Sequence, residues 1–401
     1  MTTTTEPSTA AEPSTATEPG TTTEPGTATE PGTTTEPSAT TEPNTATEPN
    51  TTPAAPGGAT PARWPAALPA NATLGVWAPS SPAPVLFPRR FVRGLAALRR
   101  RGHAVVVGDS CRSAQGPGTL PPAALAEELH TLLEETDGVI AAVGGWTLTP
   151  VLPHLDFDRI GRAGKPIVGY SDLTSLVNLV PHRSGLIAFH GPMVVSEWGE
   201  ADGPWEATET EFDQLLGARH PWTERTVPTA GDWSDENLFW DREDDRRRHG
   251  NSGAQPPRAL RTGTAEGPLW GGSLLVLGLL LGTPLWPEPA PGSILFLEAD
   301  GMAPDEFWAR LEQFRLAGVL DRAAGVVLSR ISGPRPTSSG FAGHDETLLR
   351  ILPDGLPVAA GLPLGHADPM LTLPVGGTAR LDCQDPTAVP RLSLLRPRPA
   401  G

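Results

Sequence analysis

The chain has 401 residues and a formal net charge of −16, from 46 acidic and 30 basic side chains. The eight glutamates of the first sixty residues supply half of that charge. The rest of the chain is still acidic, which excludes general nucleic-acid binding through a basic surface. The two cysteines, Cys111 and Cys383, share no ligand spacing, so neither a disulfide framework nor a zinc site is expected, and a reducing compartment is.

In residues 1–62 a Glu-Pro pair recurs every six residues among Thr, Ala, Gly and Ser. With no aromatic, Leu, Ile or Val side chain in the first sixty residues, the segment has no apolar surface to offset its ordering entropy and reads as a disordered acidic arm. It lacks the basic start and apolar core of a signal peptide. The most apolar run of the chain, residues 274–281, falls far short of the roughly twenty residues that span a bilayer. The expectation is a cytoplasmic protein with no membrane association.

Residues 74–81 predict a buried strand ending in a turn, 87–100 a helix, and 103–107 the next strand. A helix over 122–135 carries Leu125, Leu129, Leu132 and Leu133 on one face, and residues 138–143 form a third strand opening into Gly144-Gly145. A short helix over 156–163 precedes a fourth strand over 167–170. Alternating strands and helices predict right-handed βαβ units and a parallel sheet covered on both faces, with chemistry beyond the carboxyl ends of its strands. The pattern breaks from Val195 to about Ala265, where Trp, Asp, Glu and Arg predominate. That stretch reads as a linker with a mobile, tryptophan-rich loop. Beyond it, 269–281 reads as an apolar helix, 293–297 as a strand ending at Glu298, and 307–317 as a helix. Residues 324–328 and 357–360 read as strands, and 371–382 as a terminal strand pair. The organisation expected is an arm (1–62), an N-terminal α/β domain (70–195), a linker with a substrate loop (196–262) and a C-terminal domain (263–390).

The stretch Ile167-Val168-Gly169-Tyr170-Ser171-Asp172 ends a β-branched run in a serine just where an apolar helical pattern begins. A hydroxyl there is exposed at a sharp turn beside the unpaired N–H groups of a helix N-terminus. Read alone, Ser171 or Asp172 could equally cap the helix. A nucleophile also needs a base, and the base an orienting group. His366 stands out among the nine histidines because Gly365 and Pro369 fold a tight loop around it. His190, after an apolar strand, could line the same cleft. Glu298 ends an apolar strand, where a carboxylate is costly unless paired or solvated; read alone, it could equally be a strand-end charge facing solvent, as Asp300 would be.

These motifs resemble the LD-carboxypeptidase family of serine peptidases, which includes the microcin C self-immunity peptidases. The resemblance is carried by Val76-Trp77-Ala78-Pro79-Ser80-Ser81, Gly169-Tyr170-Ser171-Asp172 and Phe189-His190-Gly191-Pro192-Met193. It continues in Gly282-Thr283-Pro284, Leu295-Phe296-Leu297-Glu298, Gly365-His366 and Leu371-Thr372-Leu373-Pro374. It implies an α/β fold: an N-terminal flavodoxin-like parallel-sheet domain with a nucleophile elbow, then a smaller mixed α/β swivelling domain. It further implies a Ser171–His366–Glu298 triad, an oxyanion hole of the Asp172 N–H with Gly144 or Gly145, a homodimer, and no metal or cofactor.

The resemblance leaves two substrate classes. One is a cytoplasmic murein tetrapeptide; the other is a peptidyl- or aminoacyl-nucleotide antibiotic. Many members carry Arg-Gly-Gly-Tyr-Gly where this chain has Ala142-Val143-Gly144-Gly145-Trp146, and Gly-Gly-Asn where it has Gly271-Gly272-Ser273. Trp233-Ser234-Asp235-Glu236 and Trp240 resemble the loop of the immunity subgroup, in which a tryptophan stacks on a nucleobase. Such a stack is worth about 1–3 kcal/mol. The alternative is a catalytically weak relative that binds a peptide or nucleotide-like ligand.

Overall fold

The computed structural model describes residues 62–114, 118–218, 222–229, 231–250, 255–333 and 343–396. The acidic arm lies outside the described residues, apart from Ala62. Fourteen strands are described. The first seven are β1 (Thr73–Trp77), β2 (Ala104–Val107), β3 (Gly138–Ala141), β4 (Ile167–Val168), β5 (Ala188–His190), β6 (Glu224–Thr226) and β7 (Arg258–Arg261). The others are β8 (Thr264–Ser273), β9 (Ser293–Glu298), β10 (Ala323–Ser329), β11 (Val358–Leu362), β12 (Leu373–Val375), β13 (Thr378–Asp382) and β14 (Arg391–Leu395).

They form two sheets. The first runs β12-β5-β4-β3-β1-β2. Its five N-terminal strands are parallel in the flavodoxin-like order 2-1-3-4-5. β3 and β4 are buried along their whole length, as strands with helices on both faces must be. Helices Pro88–Arg100, Pro122–Glu135, Phe157–Ala163 and Thr174–Ser184 supply the crossovers. The helix Phe157–Ala163 starts where the Asp156 side chain accepts from the Arg159 N–H.

The second sheet runs β6-β14-β13-β8-β9-β10-β11-β7. Its centre, β8-β9-β10-β11, is parallel, and β13, β14, β6 and β7 are antiparallel additions. Helices Pro304–Leu316 and His344–Ile351 pack on one face, with Phe307, Leu311, Phe314 and Leu348 fully buried there. Each such side chain contributes about 1.5–3 kcal/mol.

Three elements differ from the expectation. The apolar stretch 269–281 is not one helix: β8 runs through Ser273, and a helix spans only Leu274–Leu280. Pairing of residues 269–273 with β9 overrides their helical pattern, and the Ser273 hydroxyl then caps the helix by accepting from the Val276 N–H. The expected linker contains the helix Glu206–Leu216 and two short strands, β6 and β7. Its acidic composition hid an apolar face: Phe212, Leu215 and Leu216 are buried. The terminal pair, β12 and β13, divides between the sheets, since Leu373 pairs with His190 while β13 pairs with β8.

Segment β12 therefore stitches the C-terminal half onto the N-terminal sheet. A second stitch is the helix Thr174–Ser184. The Asn178 side-chain amide donates to the Gly271 carbonyl at 2.8 Å and accepts from the Gly271 N–H at 3.1 Å. The Thr174 hydroxyl accepts from the Ser273 N–H at 3.3 Å. The helix that begins behind Ser171 is thus docked on β8, next to the strand that ends in Glu298.

Candidate active site

β4 ends at Val168, and the chain turns through Gly169 and Tyr170 into a single 3-10 turn that starts at Ser171. Ser171 has φ = 60°, a left-handed conformation that costs an L-residue of order 1–3 kcal/mol. The surrounding structure holds it there. Tyr170 is extended and buried, and the Leu173 N–H returns to the Tyr170 carbonyl at 3.1 Å. The Asp172 carboxylate accepts from the Leu148 N–H at 3.0 Å, tying the turn to the segment that follows Gly144-Gly145. Burial raises the pKa of that carboxyl.

Gly144 abuts the serine. A Cβ on it would stand 2.8 Å from Ser171 Cβ and 3.5 Å from the Asp172 backbone nitrogen. Gly145 packs instead on the carbonyl of Ser80.

Opposite, β9 ends at Glu298 and the loop after β11 carries His366. The three side chains meet. His366 Nε2 lies 3.0 Å from Ser171 Oγ, and His366 Nδ1 lies 2.9 Å from Glu298 Oε2. Gly365 has φ = 94°, and a Cβ there would lie 2.4 Å from Glu298 Oε2, so no larger residue lets the loop approach the carboxylate.

Glu298 is 1 % exposed and His366 23 %. Burial works to raise the Glu298 pKa, but the adjacent His190 and His366 outweigh it and keep the carboxyl below its ordinary value. Burial works to lower the His366 pKa. The hydrogen bond to Glu298 and the charges of Asp300, Glu298 and Glu197 overcome that and raise it to about 9. His190 is fully buried, with Nε2 3.2 Å from Glu298 Oε1. Burial lowers its pKa, against the pull of Glu298, and the ring lies on the far side of the carboxylate from His366. So placed, His190 packs beside Glu298 and has no open face for a ligand.

Two residues beside the site were not singled out from the sequence. The chain's single tyrosine, Tyr170, packs edge-on against His366 with ring centroids 5.0 Å apart. Its hydroxyl donates to Glu197 Oε1 at 2.7 Å, and Glu197 Oε2 accepts from the Met193 N–H at 2.8 Å. Burial, with Glu197 beside it, holds the Tyr170 pKa well above its ordinary value. The position of Tyr170 next to Ser171 was a signal; nothing in the sequence pairs it with Glu197. Asp300, considered only as a strand-end charge, has Oδ2 3.9 Å from His366 Nε2.

Trp233 is 2 % exposed, with the Arg330 guanidinium 5.2 Å from its ring centroid. Trp240 is half-buried between the edge of Phe87 and the guanidinium of Arg90. His130 and His344 have other partners: His130 Nε2 accepts from the Asp156 N–H, and His344 Nε2 lies 3.0 Å from the Met302 carbonyl.

A model of the LD-carboxypeptidase N-terminal domain matches residues 74–191, and a model of the C-terminal domain matches residues 266–381. The chain belongs to the LD-carboxypeptidase family of peptidases. It is 30 % identical over 327 residues to the microcin C7 self-immunity protein MccF of Escherichia coli, covering 77 % of this chain and 90 % of that protein. A solved structure of MccF in complex with glutamyl sulfamoyl guanosine matches the fold with a TM-score of 0.75 at 27 % identity, covering 83 % of this chain and 98 % of that one. A muramoyltetrapeptide carboxypeptidase from Oxalobacter formigenes matches with a TM-score of 0.63 at 25 % identity, covering 81 % and 100 %.

Proposed function

We propose that this protein is a serine hydrolase of the LD-carboxypeptidase type, with Ser171 as nucleophile, His366 as general base and acid, and Glu298 orienting the imidazole. The observation that carries the reading is the continuous hydrogen-bonded line from Ser171 Oγ through His366 to Glu298, at 3.0 and 2.9 Å. Ser171 Oγ attacks the scissile carbonyl while His366 Nε2 takes its proton. The tetrahedral oxyanion forms against the Asp172 N–H and an N–H of the Gly144-Gly145 loop, donors fixed before the reaction begins. His366 then gives the proton to the leaving amine, and the acyl-serine is released by water activated on the same imidazole. Glu298 stays ionised throughout and stabilises the imidazolium.

For the substrate we infer an aminoacyl or peptidyl group joined through an amide-type bond to a nucleotide-like moiety. The greater likeness to MccF than to the muramoyltetrapeptide carboxypeptidase supports this class. Trp240, half-buried, is the ring we assign to stacking on the base; the more deeply buried Trp233 and His190 support the site from behind. The murein tetrapeptide is the second reading, favoured by the family itself. Incubation with glutamyl sulfamoyl adenosine and, separately, with a murein tetrapeptide, followed by mass measurement of the products, decides between them. Cleavage of the tetrapeptide alone overturns the nucleotide reading, and cleavage of neither returns the protein to a binding role.

We further infer a cytoplasmic homodimer. The buried free thiols of Cys111 and Cys383 suit a reducing compartment. Among the described residues, no helix is long and apolar enough to cross a membrane. A monomer mass by sedimentation would refute the dimer.

A further inference from the structure

Between Gly231 and Gly250 the chain is fastened to the His366 loop at two points. The first is a reciprocal backbone bridge: the Ser234 N–H donates to the Asp368 carbonyl at 2.8 Å, and the Asp368 N–H to the Ser234 carbonyl at 2.9 Å. The second is Arg248, whose Nη2 donates to Asp368 Oδ2. The same guanidinium donates through Nε to Glu200 Oε2 at 3.2 Å, and the Arg248 backbone N–H donates to Glu200 Oε1 at 3.0 Å. Glu200 in turn accepts from Arg90 at 2.9 Å, on the helix Pro88–Arg100. Arg93 of that helix donates to Asp244 at 3.1 Å, and Arg90 lies 3.5 Å from it.

The cluster is deep. Arg90, Glu200, Asp244 and Asp368 are 0–2 % exposed, and Arg248 is 14 % exposed. Arg90, Arg93 and Arg248 face Glu200, Asp244 and Asp368, and the exposed Arg89 also lies 3.5 Å from Asp244. The Arg248 guanidinium engages two different carboxylates, Glu200 through Nε and Asp368 through Nη2. Removing Arg248 would leave the buried Asp368 carboxylate without its guanidinium and Glu200 with Arg90 alone, an arrangement costly enough to force local movement. Asp368 is two residues from His366, separated by the buried Ala367.

We propose that Arg248 is a positioning residue for the base: by holding Asp368 against Glu200 on the nucleophile side of the molecule, it fixes the distance of His366 from Ser171. The guanidinium suits this task because its rigid fork reaches two carboxylates at once, which a lysine ammonium cannot do in the same geometry. A misplacement of about 1 Å in such a site costs on the order of a hundredfold in rate.

This inference rests on Ser171 being the nucleophile, and the test separates the two. The full-length protein is treated with a fluorophosphonate, and labelling is followed by intact mass to give the maximal rate and the half-saturating concentration separately. If the wild-type protein is not labelled at Ser171, the proposed hydrolase function fails. Given labelling, Arg248→Met lowers the maximal rate about tenfold or more with the half-saturating concentration unchanged, and Arg248→Lys restores part of it. Arg246→Met, which removes the half-exposed pair with Glu236 and local contacts to Arg247 and His249 on the same segment, stays at the wild-type rate. A folded Arg248→Met variant labelled at the wild-type rate overturns the proposal. If that variant does not fold, Arg248→Lys decides, and labelling at the wild-type rate again overturns it.

Discussion

The two halves of the proposed active site, one for the nucleophile and one for the base, are built by opposite means. The nucleophile side is made of backbone: Ser171 is held at φ = 60° on a turn between β4 and its helix, with Gly144 against it. The base side is made of buried charge: Glu298 at the end of β9, flanked by His190 and His366, with Asp300 and Glu197 adding to the field on the imidazole. The first stores local strain to expose a hydroxyl. The second gathers titratable groups from distant parts of the chain so that one stays ionised and another is readily protonated. The comparison predicts that changes on the nucleophile side act through shape, whereas changes on the base side move the pH dependence.

The largest effect is expected from Ser171→Ala, which should remove hydrolysis by a factor of about 10⁴ or more while leaving the far-UV circular dichroism unchanged. Retained turnover would end the account of the nucleophile. Glu298→Gln should lower kcat by about 10³- to 10⁴-fold, because the neutral amide no longer orients or stabilises the imidazolium.

The same variant tests the charge argument through pH. As the proposed base, His366 would accept the serine proton only when neutral, and its pKa is raised to about 9. In the wild-type protein kcat/KM should therefore rise with pH on a limb displaced upward from the ordinary imidazole range. In Glu298→Gln that limb should move to lower pH, since the hydrogen bond to Glu298 is the leading upward influence on the imidazole. A limb that does not move would mean that Glu298 does not control His366.

A smaller, shape-driven loss is expected from Gly144→Ala. The new Cβ would meet Ser171 Cβ at 2.8 Å and push the serine or its loop aside, lowering kcat by roughly a hundredfold. The limb of the pH profile should stay in place. Smallest of all, Ser171→Gly should raise the unfolding free energy by about 1 kcal/mol in urea titration, because glycine adopts φ = 60° without strain. A decrease would show that the hydroxyl contributes more to stability than its conformation costs.

The nucleophile side was legible because its grammar is local: a β-branched run, a serine and a helical pattern within about a dozen residues. Glu298 and His366 were legible in kind, as a carboxylate ending an apolar strand and an imidazole in a tight loop; the family motifs joined them to Ser171. The braces were not legible. Glu197 lies 27 residues from Tyr170, and Arg248 lies 48 residues from Glu200 and 120 from Asp368, with no periodicity to link them. The helix Glu206–Leu216 was missed because acidic side chains mask its apolar face, although Glu206 and Glu209 in its first turn suit the helix dipole. The crossing of β12 into the first sheet depends on pairing with β5, a long-range contact that alternation alone does not specify.

The central claim is that Ser171 is a nucleophile activated by His366. It is tested most directly by peptide mapping after fluorophosphonate treatment across a pH series. A single adduct on Ser171 is expected, absent in Ser171→Ala and forming more slowly as pH falls below the pKa of His366. An adduct on another residue, or a labelling rate indifferent to pH over that range, would contradict it.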